Sequence, residues 1–159
     1  MVHFATQPEG AEYPARTFMK LTKHFTFLEL INTSHKELLA INKTSAEKIK
    51  EDIYKLALFA EQVRAILCVP MTITSGYRCK ELNQAVGGSS TSQHTKAEAI
   101  DFIPSKMAVS QAYDKLRTSC LVYGQLIIEH SGSKEWVHVS MGYKKENLKY
   151  NNGKYIKGE

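Results

Sequence analysis

The stretch Ser92-Gln93-His94-Thr95-Lys96-Ala97-Glu98-Ala99-Ile100-Asp101-Phe102 decides how this chain folds. A small polar loop, Ser89 to Ser92, delivers His94. Ala97 to Phe102 then reads as a strand, which Pro104 ends. Strand alternation sends Ile100 and Phe102 to one face and Asp101 to the other, beside Ala97 and Ala99. A carboxylate facing inward from an otherwise apolar strand needs a partner, because a lone buried charge is costly. The alanines leave room for that partner.

Upstream lies the clearest helical pattern. Thr44 and Glu47 have capping-box spacing and open it. Ala46, Ile49, Ile53, Leu56, Ala60, Val63 and Leu67 then recur at three- and four-residue steps, marking one buried face. The helix is expected to stop before Pro70. Met71 to Ser75 alternates as a strand, and Lys80 to Val86 forms a short helix ended by Gly87-Gly88. Asn32 to Asn42 reads as a polar loop with room for a helical turn. Downstream, Ser110 to Thr118 is a helix. Gln125 to Glu129 and Trp136 to Ser140 form an antiparallel hairpin across a turn containing Gly132. The tail from Asn147 is polar, with Asn152-Gly153 as a turn or late hairpin. There is no internal repeat and no second core. The expected fold class is α+β, a small antiparallel sheet with flanking helices. Residues 1–22 are expected to be a flexible N-terminal extension and 23–159 a single domain.

The second strand of that hairpin carries His138 between Val137 and Val139. The valines belong to the core, so His138 shares the other side with Trp136 and Ser140. On the first strand, Gln125, Ile127 and Glu129 separate in the same way from Leu126 and Ile128. His94, Asp101 and His138 thus offer two imidazoles and one carboxylate from separate elements. Three such ligands plus a water make a catalytic zinc site, whereas structural sites close with four protein ligands. A lone histidine is more often a satisfied core residue; the inward Asp101 is what favours metal ligation here. His3, His24 and His35 read as surface or cap residues.

Several blocks together resemble one family: Ser75-Gly76-Tyr77-Arg78-Cys79, Leu82-Asn83, Val86-Gly87-Gly88-Ser89, Ser92-Gln93-His94, Ala99, Asp101-Phe102 and Trp136-Val137-His138-Val139-Ser140. In this order they resemble the M15 zinc peptidases, D-alanyl-D-alanine carboxypeptidases and L-alanyl-D-glutamate endopeptidases that share a zinc fold with the hedgehog domain. The segment His24-Phe25-Thr26-Phe27-Leu28-Glu29-Leu30 is similar to the phage and prophage branch. The resemblance covers roughly Lys23 to Tyr143. It implies a hedgehog-like fold around one Zn²⁺ held by His94, Asp101 and His138, and hydrolysis of a peptide bond in peptidoglycan stem peptides. One departure stands out: the family favours glycine where this chain has Ala97.

The chemistry also needs a general base. Glu129 and Glu135 compete for it. Glu135 lies three residues before His138, where several members carry their acidic residue. Glu129 ends the preceding strand on the side assigned to His138, and a strand fixes it better than a turn would. His130 is a weaker third candidate. Arg78 is the expected clamp on a substrate carboxylate, since a guanidinium grips one with two parallel hydrogen bonds. Ser92 and Gln93 are expected either to bind the substrate backbone or to orient His94, with Ser89 as a further candidate.

The bulk composition fits a globular domain of 159 residues with a real core. Lys and Arg outnumber Asp and Glu 21 to 16, for a net charge of +5. The lysines are scattered except near the C-terminus, at Lys144, Lys145, Lys149, Lys154 and Lys157. With no phosphate loop and no basic stripe among aromatics, a solvated basic face or an anionic cell wall explains the charge better than nucleic acid does. Cys68, Cys79 and Cys120 form no framework and read as reduced, partly buried thiols, with Cys79 near enough to the site to be a fortuitous extra metal donor. No run is long and apolar enough to span a membrane, and the first residues resemble no secretory signal, which places synthesis in the cytosol. The expectation is a monomer acting on peptidoglycan, at the cell wall if the chain comes from a phage or prophage. The competing reading is a non-catalytic, zinc-stabilised module that binds wall or protein.

Overall fold

Apolar spacing and strand alternation sort the chain into one mixed sheet with helices packed against it. The computed structural model describes residues 19–151 and 154–157. The helices are α1 (Phe27–Ile31), α2 (Leu39–Glu47), α3 (Lys50–Leu67), α4 (Lys80–Ala85) and α5 (Val109–Arg117). The strands are β1 (Met71–Ser75), β2 (Ala99–Pro104), β3 (Gln125–Ser131), β4 (Lys134–Ser140), β5 (Glu146–Asn151) and β6 (Lys154–Lys157), in the spatial order β1-β2-β4-β3-β5-β6. Strands β1 to β4 correspond to the four expected strands, and β5 and β6 flank the Asn152-Gly153 position expected as a turn or late hairpin. The sheet is not wholly antiparallel, because β5 runs parallel to β3.

The expected single helix from Thr44 is two helices. Thr44 lies inside α2, where its hydroxyl donates to the Ala40 carbonyl at 3.1 Å, so it does not cap. The chain breaks at Ile49 (φ −124°, ψ 36°) and restarts at Lys50 with Glu51 and Asp52 in the first turn, where the helix dipole favours acidic residues. The capping box belongs instead to α1. There the Thr26 N–H donates to Glu29 Oε2 at 2.7 Å and the Glu29 N–H donates to Thr26 Oγ1 at 3.3 Å. At its other end α3 stops on Cys68, in the left-handed region at φ 59°, before Pro70.

The apolar face of α3 is buried as its spacing requires, and α3 and α5 pack beneath the sheet with Ile100, Phe102, Leu126, Val137 and Val139. The opposite face of β2, β4 and β3 is left for the site. Strand β2 starts at Ala99, later than expected, because Ala97 is left-handed at φ 55°, ψ 37°. That conformation explains why glycine suits the position; alanine there costs about 1 kcal/mol. Of the expected extension over 1–22, residues 1–18 lie outside the described residues. Residues 19–22 are held: Phe27 N–H donates to the Met19 carbonyl, Leu21 and Thr22 N–H both donate to Phe25, and Leu21 packs on the core. The Asn152-Gly153 turn also lies outside the described residues, although β5 and β6 pair antiparallel on either side of it.

Candidate metal centre

Pairing register brings the site together. Asp101 on β2 lies opposite His138 on β4, and His138 lies opposite Ile127 on β3. His94 arrives from the other side, in the 3₁₀ turn Gln93–Lys96 that precedes β2. All three side chains are buried, and each offers a ligand atom within 4.8 Å of the others. His138 Nδ1 is 2.8 Å from Asp101 Oδ1, while His94 Nε2 is 3.3 Å from both.

The outer ring atoms fix what faces inward. His94 Nδ1 lies 2.7 Å from the Gly76 carbonyl, and His138 Nε2 lies 3.1 Å from Gln93 Oε1. Both neighbours are acceptors, so both outer nitrogens carry hydrogen, and the lone pairs of His94 Nε2 and His138 Nδ1 turn toward Asp101. Three lone-pair donors converging at these distances repel unless positive charge lies among them. A tetrahedral zinc with bonds of about 2.0–2.1 Å sets its donors roughly 3.3 Å apart. Two of the observed edges, at 3.3 Å, match that spacing; the third, at 2.8 Å between His138 and Asp101, is shorter and would have to open slightly around a cation. Burial alone would push the Asp101 carboxyl up. When the His94 and His138 rings are protonated, their charge and hydrogen bonds more than offset this and hold it well below the usual carboxylate range; with neutral rings whose lone pairs face inward, a bound cation would take over that role.

A cleft of about 1200 Å³ opens over this centre. Arg78, Ser92, Gln93, Glu129 and Trp136 line it with the three converging residues. Arg78 Nη2 donates to Asp101 Oδ2 at 3.4 Å, and its Nε–H is buried with no partner among the described residues. Glu129 holds a polar pair of its own: Oε2 accepts from Trp136 Nε1–H and Oε1 from the Tyr155 hydroxyl, both at 3.0 Å. Ser92 is partly buried at the cleft, whereas Ser89 sits exposed at its rim.

Alternation separates the two carboxylates that sequence left in competition. Glu129 faces Trp136 across the hairpin on the cleft side. His130 faces Glu135 in the next pair, so both point to the opposite side of the sheet, where both are exposed. The strands run on to Ser131 and Lys134, which shortens the expected six-residue turn to Gly132-Ser133 and puts Glu135 on a strand. Cys79 is buried and outside the converging group; burial pushes its thiol up, which disfavours the thiolate a metal would need. Cys68 and Cys120 are exposed, contrary to the expectation of partial burial.

Two contributors escaped the sequence reading. Asn42, fully buried on α2, donates to the Ile31 and Tyr77 carbonyls and accepts from the Cys79 N–H at 2.7 Å, tying down the segment that presents the Gly76 carbonyl and Arg78. Nothing in the sequence signals it: Asn42 ends a stretch that reads as polar loop, and its partners lie up to 37 residues away. Asn42→Ala would strand three backbone groups and is expected to destabilise the fold by about 3 kcal/mol, measured as a lower unfolding midpoint in denaturant. The other is Tyr155, whose tail carried no motif. Gln93 emerges as the partner that orients His138, not His94. Gln93→Ala is expected to weaken zinc affinity about 10–100-fold by competition with a chromophoric chelator.

A sequence model of the family described as Peptidase M15 matches residues 23–140. No curated protein matches the chain.

Proposed function

The chain belongs to the peptidase M15 family, and from that premise we propose that it is a zinc-dependent peptidase that hydrolyses a peptide bond in peptidoglycan stem peptides. The observation that carries this reading is the triangle of donor atoms on His94, Asp101 and His138, opening onto a cleft that also holds one guanidinium and one carboxylate. Zinc held there supplies Lewis-acid activation of water and polarisation of a carbonyl.

The remaining steps belong to the side chains. Arg78, in the cleft lining, offers its guanidinium to a free carboxylate of the stem peptide, fixing the scissile bond over the triangle. Glu129 takes the proton of the attacking water and returns it to the leaving amine. The Trp136 and Tyr155 donors occupy one lone pair on each Glu129 oxygen, and a carboxylate has about four acceptor sites, so capacity remains for that proton. Gly76 and Gln93 keep the imidazoles in the tautomers that point their lone pairs inward.

The test is digestion of purified muropeptides with and without chelator, read by mass spectrometry. Chelator-sensitive loss of terminal alanine alone identifies a carboxypeptidase. Internal cleavage identifies an endopeptidase. No chelator-sensitive product from a range of wall types overturns the peptidase reading in favour of a zinc-stabilised binding module.

A further inference from the structure

Tyr155 lies on β6, fifteen residues beyond the end of the family match at 140, yet its hydroxyl reaches Glu129. The route is structural. Strand β5 pairs parallel with β3 from Gln125 to Ile128, and β6 folds back along β5, with Tyr155 opposite Tyr150. The hairpin thus lays Leu148 and Tyr155 along the edge of the cleft, beside the end of β3 that carries Glu129. Glu129 is held from two directions: the indole N–H of Trp136, across the β3–β4 pair, takes one oxygen, and the Tyr155 O–H takes the other.

We propose that Tyr155 is a positioning residue: through its hydroxyl, the C-terminal hairpin fixes the carboxylate of Glu129 toward the cleft. A glutamate has three rotatable bonds and fans out widely when held at one oxygen. Two donors from different strands leave it one orientation. Trp136 alone permits rotation about the remaining bond, so the second donor decides where the free lone pairs point. The ring of Tyr155 is about half exposed, 54%, while its hydroxyl reaches the carboxylate. This inference rests on the proposed role of Glu129 as general base.

Tyr155→Phe tests it, because the ring stays and only the hydroxyl goes. Trp136 is the single tryptophan of the chain, so its emission reports directly on the carboxylate at its N–H. The expected result in the full-length, zinc-loaded protein is a kcat on muropeptides about three- to tenfold lower. KM and zinc content stay unchanged, and the Trp136 emission maximum shifts. Tyr143→Phe, at a 91% exposed site outside the cleft, serves as the control and should match wild type in both readouts. A Tyr155→Phe protein with wild-type kcat overturns the positioning role, whether or not its emission shifts. Wild-type kcat in Glu129→Gln would instead overturn the general-base premise, which separates the two failures.

Discussion

His138→Ala is expected to lose zinc and hydrolysis together, with metal affinity and kcat/KM each falling by at least about a thousandfold. The argument starts from the donor set. His138 supplies one of three converging lone pairs, and Asp101 Oδ1 and His94 Nε2 alone cannot enclose a cation. Losing a partner that merely orients a ligand costs about 10–100-fold; losing the ligand itself must cost more. The substitution also leaves Gln93 Oε1 and Asp101 Oδ1 without the ring that each contacts. The fold should survive, because Val137 and Val139 on either side remain fully buried and hold β4 in the sheet. The measurement is zinc content by atomic emission after gel filtration, with circular dichroism to show an intact fold and muropeptide digestion to read activity. A folded His138→Ala protein that retains stoichiometric zinc, or cleaves at the wild-type rate, refutes the assignment of this centre.

How far the site could be read in advance follows from which contacts are local. Asp101 and His138 were placed on the non-core face by alternation alone, and the register then set them opposite one another. Each of those facts needs only a few neighbouring residues. The capping box shows the opposite. The pattern threonine, two residues, glutamate occurs at Thr26–Glu29 and again at Thr44–Glu47. Sequence spacing cannot tell them apart; the difference is that helix α2 already runs through Thr44 and takes up its hydroxyl. Asn42 and Tyr155 were illegible for a related reason. Their partners are backbone groups and a carboxylate far away in sequence, and a polar residue in a polar stretch carries no periodicity to betray it. The parallel pairing of β5 with β3 needs a long connection between them, which a hairpin-by-hairpin reading does not foresee.

The ambiguity over the base was of a different kind, because it turned on a single strand boundary. With Glu135 in a turn, either carboxylate could reach the cleft; with β4 beginning at Lys134, alternation turns Glu135 away. The two are therefore expected to respond differently to the same change. Glu129→Gln should lower kcat by about 10²–10⁴-fold, the usual contribution of a general base. KM should move less than about threefold and zinc content not at all, because the amide keeps the volume and lies outside the converging group. Its carbonyl oxygen can still accept from Trp136 or Tyr155 but not from both, so the amide keeps the volume and one anchor while losing the ability to take up a proton, and the loss should exceed the roughly three- to tenfold expected of Tyr155→Phe. Glu135→Gln removes an exposed charge on the other side of the sheet and should leave kcat within about twofold of wild type. Steady-state kinetics on a defined stem peptide, with both variants loaded with zinc, decides between them. Wild-type turnover in Glu129→Gln combined with collapse in Glu135→Gln would mean that the hairpin is paired one residue out of register, since only that slip exchanges the faces of the two carboxylates.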